Sequence, residues 1–228
     1  MAYGIEIKNS SDETILDGTS PVYTEVASGT LAVDNPNWGF GGNQGAYRGI
    51  INVPTAYSGD STVFAYTLPV GRWVSLWKDT VYALRSEGST SVPYKVFAPS
   101  DIVSPSGDAY GLQIFNASGA LVFDSGRTTF NVVSNHLFTN EIPQTIAYTN
   151  PGNKWVSVTT GGNKGLVRLG SVNGSVVTGY GRVVTGYVRQ NSDGTVSAKV
   201  LEYMSGPFPT NSDVGSGTTC NAVIMEIT

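Results

Sequence analysis

Residues 3–31 of this chain align without a gap on residues 110–138, and this internal match constrains the fold more than any other feature. Tyr3-Gly4 falls on Tyr110-Gly111, Ile7 on Ile114, Asn9 on Asn116, Ser11 on Ser118, Asp17 on Asp124 and Val26 on Val133, seven identities in 29 positions. Where the residues differ, apolar still faces apolar: Ile5 with Leu112, Ile15 with Val122, Leu16 with Phe123, Tyr23 with Phe130, Leu31 with Phe138. Two shorter echoes follow in the same order. Ala65-Tyr66-Thr67, continuing to Trp73-Val74-Ser75, matches Ala147-Tyr148-Thr149 continuing to Trp155-Val156-Ser157, and Lys95-Val96-Phe97 matches Lys199-Val200-Leu201.

Each copy of a repeat is expected to be one folding unit. The alignment therefore predicts a first β unit over residues 1–104 and a second over 110–228, with Gly-rich insertions near 35–50 and 161–181. The boundary should fall at 101–109, where Ser104-Pro105-Ser106-Gly107-Asp108 has linker chemistry. Two copies can also fuse their sheets into one continuous sandwich, and the sequence leaves both arrangements open.

The local pattern is that of strands. Ile5-Glu6-Ile7-Lys8 and Leu112-Gln113-Ile114 alternate apolar and polar, the period of a half-buried strand. Asn9-Ser10-Ser11-Asp12 and Asn116-Ala117-Ser118-Gly119 then supply turn residues before Ile15-Leu16 and Leu121-Val122-Phe123, so each copy opens with a hairpin. Further hairpin turns are predicted at Asn173-Gly174 and at Asn191-Ser192-Asp193-Gly194, because Asn-Gly and Asp-Gly tolerate positive φ. No stretch carries a 3.6-residue period, and eleven prolines punctuate the chain. The expected fold is all-β: two tandem, diverged β-sandwich-like units with many short antiparallel strands.

Charge removes several functions. A net charge of −4 offers no basic footprint for nucleic acid, which needs clustered Lys and Arg to displace counterions. Met1 to Lys8 lacks a basic region followed by an apolar one, and no run of about 18 apolar residues occurs, so no membrane insertion is expected. Cys220 is the only cysteine and reads as a small buried hydrophobe.

Chemistry is sparse. His136 is the single histidine, and its counterpart in the first copy is Gly29, so it reads as a surface or capping residue rather than a catalytic base. The same scarcity argues against a metal site or cofactor. Asp17 and Asp124 recur at strand ends and read as turn residues. Gly39 to Gly45 and Gly161 to Gly165 lack the Gly-Lys-Ser/Thr continuation of a phosphate cradle. Trp73 and Trp155, recurring among apolar neighbours, read as equivalent core residues. Trp38, Phe40 and Tyr47 sit in the first Gly-rich insertion, where rings are either pinned beneath a loop or displayed to a partner; they are the candidate partner-binding residues.

Tyr110 to Asp124, with Tyr-Gly-Leu-Gln-Ile-Phe-Asn-Ala-Ser-Gly at its head, resembles the N-terminal signature of small proteins encoded among the tail genes of double-stranded DNA bacteriophages; Tyr3 to Asp17 is the more divergent version. In such proteins the motif usually opens the chain, whereas here the nearer copy lies in mid-chain. The resemblance implies a structural virion component, a tail tip, baseplate or fibre-associated protein acting in assembly or host attachment, made in the host bacterial cytoplasm. It brings no catalytic residues, and no enzymatic activity is expected. Low charge with 40% hydrophobic content suggests that partner subunits cover neutral surface and sheet edges. The expected partners are further copies of the chain, as a trimer or a higher ring, other phage tail proteins, and a host surface receptor or glycan. A carbohydrate- or receptor-binding module using Trp38, a polysaccharide-degrading enzyme using a carboxylate pair and a capsid decoration protein are the alternatives.

Overall fold

The computed structural model describes residues 7–8, 10, 14–16, 20–38, 46–57, 61–77, 79–138, 144–146, 154–159, 179–208 and 220–227. Strands dominate them, as the period-two patterning predicts, and the chain is all-β. The first half contributes β1 (Ile7–Lys8), β2 (Thr14–Leu16), β3 (Tyr23–Val33), β4 (Asn35–Trp38), β5 (Ala46–Ile50), β6 (Val63–Tyr66), β7 (Val74–Trp77), β8 (Thr80–Leu84) and β9 (Thr90–Pro99). After a 3-10 turn at Ser100–Ile102 come β10 (Gln113–Phe115), β11 (Leu121–Asp124), β12 (Phe130–Phe138), β13 (Gln144–Ile146), β14 (Lys154–Thr159), β15 (Gly179–Gln190), β16 (Val196–Phe208) and β17 (Cys220–Ile227).

Six strands form the centre, hydrogen-bonded in the order β3-β9-β6-β14-β17-β12. Three come from each half of the chain, and they join where Tyr66 of β6 pairs with Val156 of β14. Strands from the stretches 1–104 and 110–228 therefore share one sheet, and residues 101–109 lead from β9 of that sheet to the separate two-stranded sheet β10–β11. The two ends of the order also approach one another. The Phe130 ring stands 6.1 Å from Tyr23 and meets Phe97 edge-on at 4.8 Å, and the Glu25 N–H donates to Thr128 O at 2.9 Å.

Alternation along these strands feeds two cores on opposite faces. Val92 and Val96 of β9, Tyr66 of β6 and Ile224 of β17 turn toward β7, β8, β15 and β16, where they bury Val74, Leu76, Val81, Ala83, Val188 and Val196. Ala65, Phe97 and Met225 turn the other way, against Tyr23, Val63, Phe130, Val223 and Ile227. Both clusters mix residues from the two halves. A fully buried side chain the size of Phe97 or Ile224 contributes about 1.5–3 kcal/mol by leaving water, so each half adds to the stability of both cores.

Strand register repeats between the halves. Adding 107 to each residue number turns the pairs Ile7↔Leu16 and Lys8↔Thr14 of β1–β2 into Ile114↔Phe123 and Phe115↔Leu121 of β10–β11, with the irregularity at the same step. Pairs of β3 with β9, from Tyr23↔Pro99 to Leu31↔Val92, become those of β12 with β17, from Phe130↔Ile227 to Phe138↔Cys220, when 107 is added on one strand and 128 on the other. Val26 and Val133 are the bulged residues, and they too lie 107 apart.

The two shorter echoes do not follow this register. Val63↔Phe97 corresponds to Trp155↔Met225, which puts Trp155 at the place of Val63 rather than of Trp73. Lys95-Val96-Phe97 of β9 corresponds to Val223-Ile224-Met225 of β17, while Lys199 lies in β16. Short matches of common strand residues recur by composition; backbone pairing, which is non-local, decides equivalence. The first Gly-rich insertion also departs from expectation. Its described flanks are strands, since Trp38 pairs with Ala46 and β5 runs beside β8 through Tyr47↔Ala83, while residues 39–45 lie outside the described residues.

Candidate partner-binding surface

The hairpin β10–β11 is built by its turn. Asn116 Oδ1 accepts from the Ser118 N–H (3.0 Å), the Ser118 hydroxyl (2.7 Å) and the Ala120 N–H (2.9 Å), so one side chain organises four residues. Gly119 closes the turn at φ 82°, where a side chain would strain the backbone. The same chemistry closes β15–β16, where Asp193 Oδ1 accepts from the Thr195 N–H (3.0 Å) and hydroxyl (2.7 Å) beside Gly194 at φ 82°. Those Thr195 hydrogen bonds hold the Asp193 carboxyl below the usual carboxylate range. The predicted turn at Asn173-Gly174 lies outside the described residues.

One strand of the β10–β11 hairpin faces the body and the other faces out. Leu121 and Val122 of β11 are buried, and Val122 O accepts from the Val22 N–H (2.9 Å) and the Ser100 hydroxyl (2.6 Å). Ser100 in turn donates its N–H to Val22 O at 2.9 Å. The hairpin is thus stitched to the entry of β3 and the exit of β9.

Asp124 pins the connecting segment to the same hairpin. Its carboxylate is buried and accepts from the Ser106 N–H (2.8 Å), the Ser106 hydroxyl (3.1 Å), Gln113 Nε2 (3.1 Å) and the Gly126 N–H (2.9 Å). Desolvation alone would raise its pKa, but these donors together outweigh burial and hold the carboxyl below its ordinary value. The bond from Gly126 is the turn chemistry expected of Asp124; the bonds from Ser106 and Gln113 fasten the segment before the hairpin. Asp17 lies outside the described residues.

What remains outward is uncharged and includes three large apolar or aromatic side chains beside the polar Gln113 and Ser118. Tyr110 is 93% exposed, and Leu112 and Phe115 are each 48% exposed. No charged residue occurs from Ala109 to Phe123. The alternation of Leu112-Gln113-Ile114 predicts Leu112 and Ile114 turned inward, but Leu112 is exposed and Ile114 only half-buried, because burial in this hairpin falls on β11. In the sequence Tyr110, Leu112 and Phe115 stand out only as motif residues, not as surface. The signal was present in the charge-free run.

Of the three candidate aromatics Trp38, Phe40 and Tyr47, only Tyr47 has its side chain among the described residues. Tyr47 is half-buried and packs against the larger core cluster, so it is pinned by β8. Trp38 lies in β4. Its side chain, like the whole of Phe40, lies outside what is described. Trp73 is 5% exposed, as expected of a core residue, and the Arg189 guanidinium lies 4.5 Å above its ring. Trp155 stands in β14 and Cys220 in β17, with side chains outside the described set.

His136 is half-buried and its Nε2 lies 3.0 Å from Ser134 Oγ, a neighbour on the same strand. No group of three or more His, Cys, Asp or Glu side chains is placed to hold a metal ion among the described residues. None of their helices is long and apolar enough to cross a membrane. Compared with protein families, curated proteins and solved structures, the chain matches none.

Proposed function

We propose that this chain is a structural, non-enzymatic component of a bacteriophage virion, a tail tip, baseplate or fibre-associated protein that works by packing against neighbouring subunits. The observation that carries this reading is the β10–β11 hairpin. The residues that resemble the phage tail signature form one ordered hairpin, and they leave Tyr110, Leu112 and Phe115 outside on a stretch free of charge. Isolated proteins protect such surface with charge, whereas subunits cover it with one another. The partners in this reading are further copies of the chain in a ring, with a trimer first, and other tail proteins.

The test is a phage carrying Tyr110→Ser, Leu112→Ser and Phe115→Ser. All three side chains are exposed, so the purified variant should keep the thermal midpoint of the parent. Mass spectrometry of purified virions should find the parent protein and should find the variant strongly depleted. Virions that lack the parent protein, or that take up the variant as well as the parent, would overturn the reading.

A further inference from the structure

We infer that the amino-terminal hairpin β1–β2 docks along the outer edge of β12, as β10–β11 docks along β3. This docking follows from strand order and register and does not depend on the virion reading. The order β3-β9-β6-β14-β17-β12 reads the same from either end once β3 is matched to β12, β9 to β17 and β6 to β14, and all these neighbours are antiparallel. A two-fold relation passing between β6 and β14 produces such an order. The constant shift of 107 that takes β1–β2 to β10–β11 also takes β3 to β12, so each hairpin and the long strand after it move as one block.

The second hairpin does not lie on its own block. It lies on the strand of the other block, where the Val22 N–H donates to Val122 O and the Glu25 N–H to Thr128 O, each at 2.9 Å. The two-fold relation turns the first contact into Thr129 N–H with Ile15 O and the second into Val132 N–H with Pro21 O. The surface at that place calls for a cover. At β3 the matching positions, Glu25 and Val26, are half-buried, while on β12 Val132 is 59% and Val133 is 47% exposed. The occupant is this chain's own hairpin, since a two-fold inside one chain closes both exchanges at once and needs no second molecule.

The test uses paired cysteines in the full-length chain with Cys220→Ser. Ile15→Cys with Thr129→Cys probes the inferred contact, and Val22→Cys with Val122→Cys probes the one already seen. Neighbouring backbones of this kind place Cα atoms within disulfide reach. Mild oxidation should close both pairs within one chain, read by non-reducing electrophoresis and peptide mapping. Failure of the 15–129 pair, or its closure between two chains, would overturn the inference. Hydrogen exchange gives a second reading without cysteines. In the full-length variant Ile7→Pro/Leu16→Pro, which breaks the pairing of the hairpin itself, the Val132 amide should exchange about tenfold faster or more. An unchanged Val132 rate would overturn it equally.

Discussion

Asp124 reaches back along the chain to Ser106, taking both its backbone N–H at 2.8 Å and its hydroxyl at 3.1 Å. The connection between the two halves is therefore fastened to the end of β11, away from the hairpin's turn, by a buried carboxylate.

This clamp should be acid-sensitive. Because the folded carboxyl holds its proton less tightly than an unfolded one, it adds stability at neutral pH. That contribution is complete above the ordinary carboxylate range, about pH 4, and is lost as pH falls through the lowered folded value. Asp124→Ala should cost about 1–3 kcal/mol at neutral pH by leaving buried donors unmatched. Urea midpoints at a series of acidic pH values should converge for parent and variant; a gap that persists in strong acid would refute the clamp.

Trp73 should be worth far more than the cation above it. Trp73→Ala empties a buried site and should cost about 3–5 kcal/mol, whereas Arg189→Ala removes a guanidinium from over the ring and should cost about 0.5–1 kcal/mol. Denaturant unfolding of the two variants checks the ratio.

Gly49 sits where β5 crosses β3 with no room for a side chain. A Cβ there would stand 2.5 Å from Ala32 O and 2.8 Å from Leu31 Cγ. The first obstacle is backbone, so the strands must part. Gly49→Ala should destabilise by about 1–3 kcal/mol, read as a lowered thermal midpoint.

Phe130 should couple the two halves. Its ring meets Phe97 edge-on, and a double-mutant cycle of Phe97→Leu and Phe130→Leu should return about 0.5–1.5 kcal/mol of interaction. Additive losses would mean that the ends of the sheet do not depend on each other.

Features held within a few residues were legible in the sequence. Asn116 to Gly119 and Asn191 to Gly194 fold their turns through their own side chains, so their chemistry could be read directly. The long match of 3–31 to 110–138 follows strand register, because it spans a hairpin and a bulged strand that must keep their spacing. The burial of Tyr47 was not legible: it depends on β8, more than thirty residues on, which pairs with Ala46–Ile50 at the end of the Gly-rich insertion. Nor was the sharing of one sheet by the two halves, which rests on pairings of β6 and β7 with β14 and of β7 with β15 that no local pattern announces. Of the candidate site, the charge-free run was legible, but which of its strands faced the body depended on Val22 and Ser100 far outside it.

The bulge at Val26 makes β3 serve two masters. Ahead of it Tyr23 points into one core, and beyond it Ala27, Leu31 and Val33 point into the other, so the extra residue exchanges the strand's inside and outside partway along. A homologue could replace Val26 with many residues at small cost. It could not lose or gain a single position between Tyr23 and Val33, because every side chain on one side of the change would be handed to the wrong core. Variation in this strand should therefore run through substitution alone, with insertions and deletions confined to the segments that join the strands.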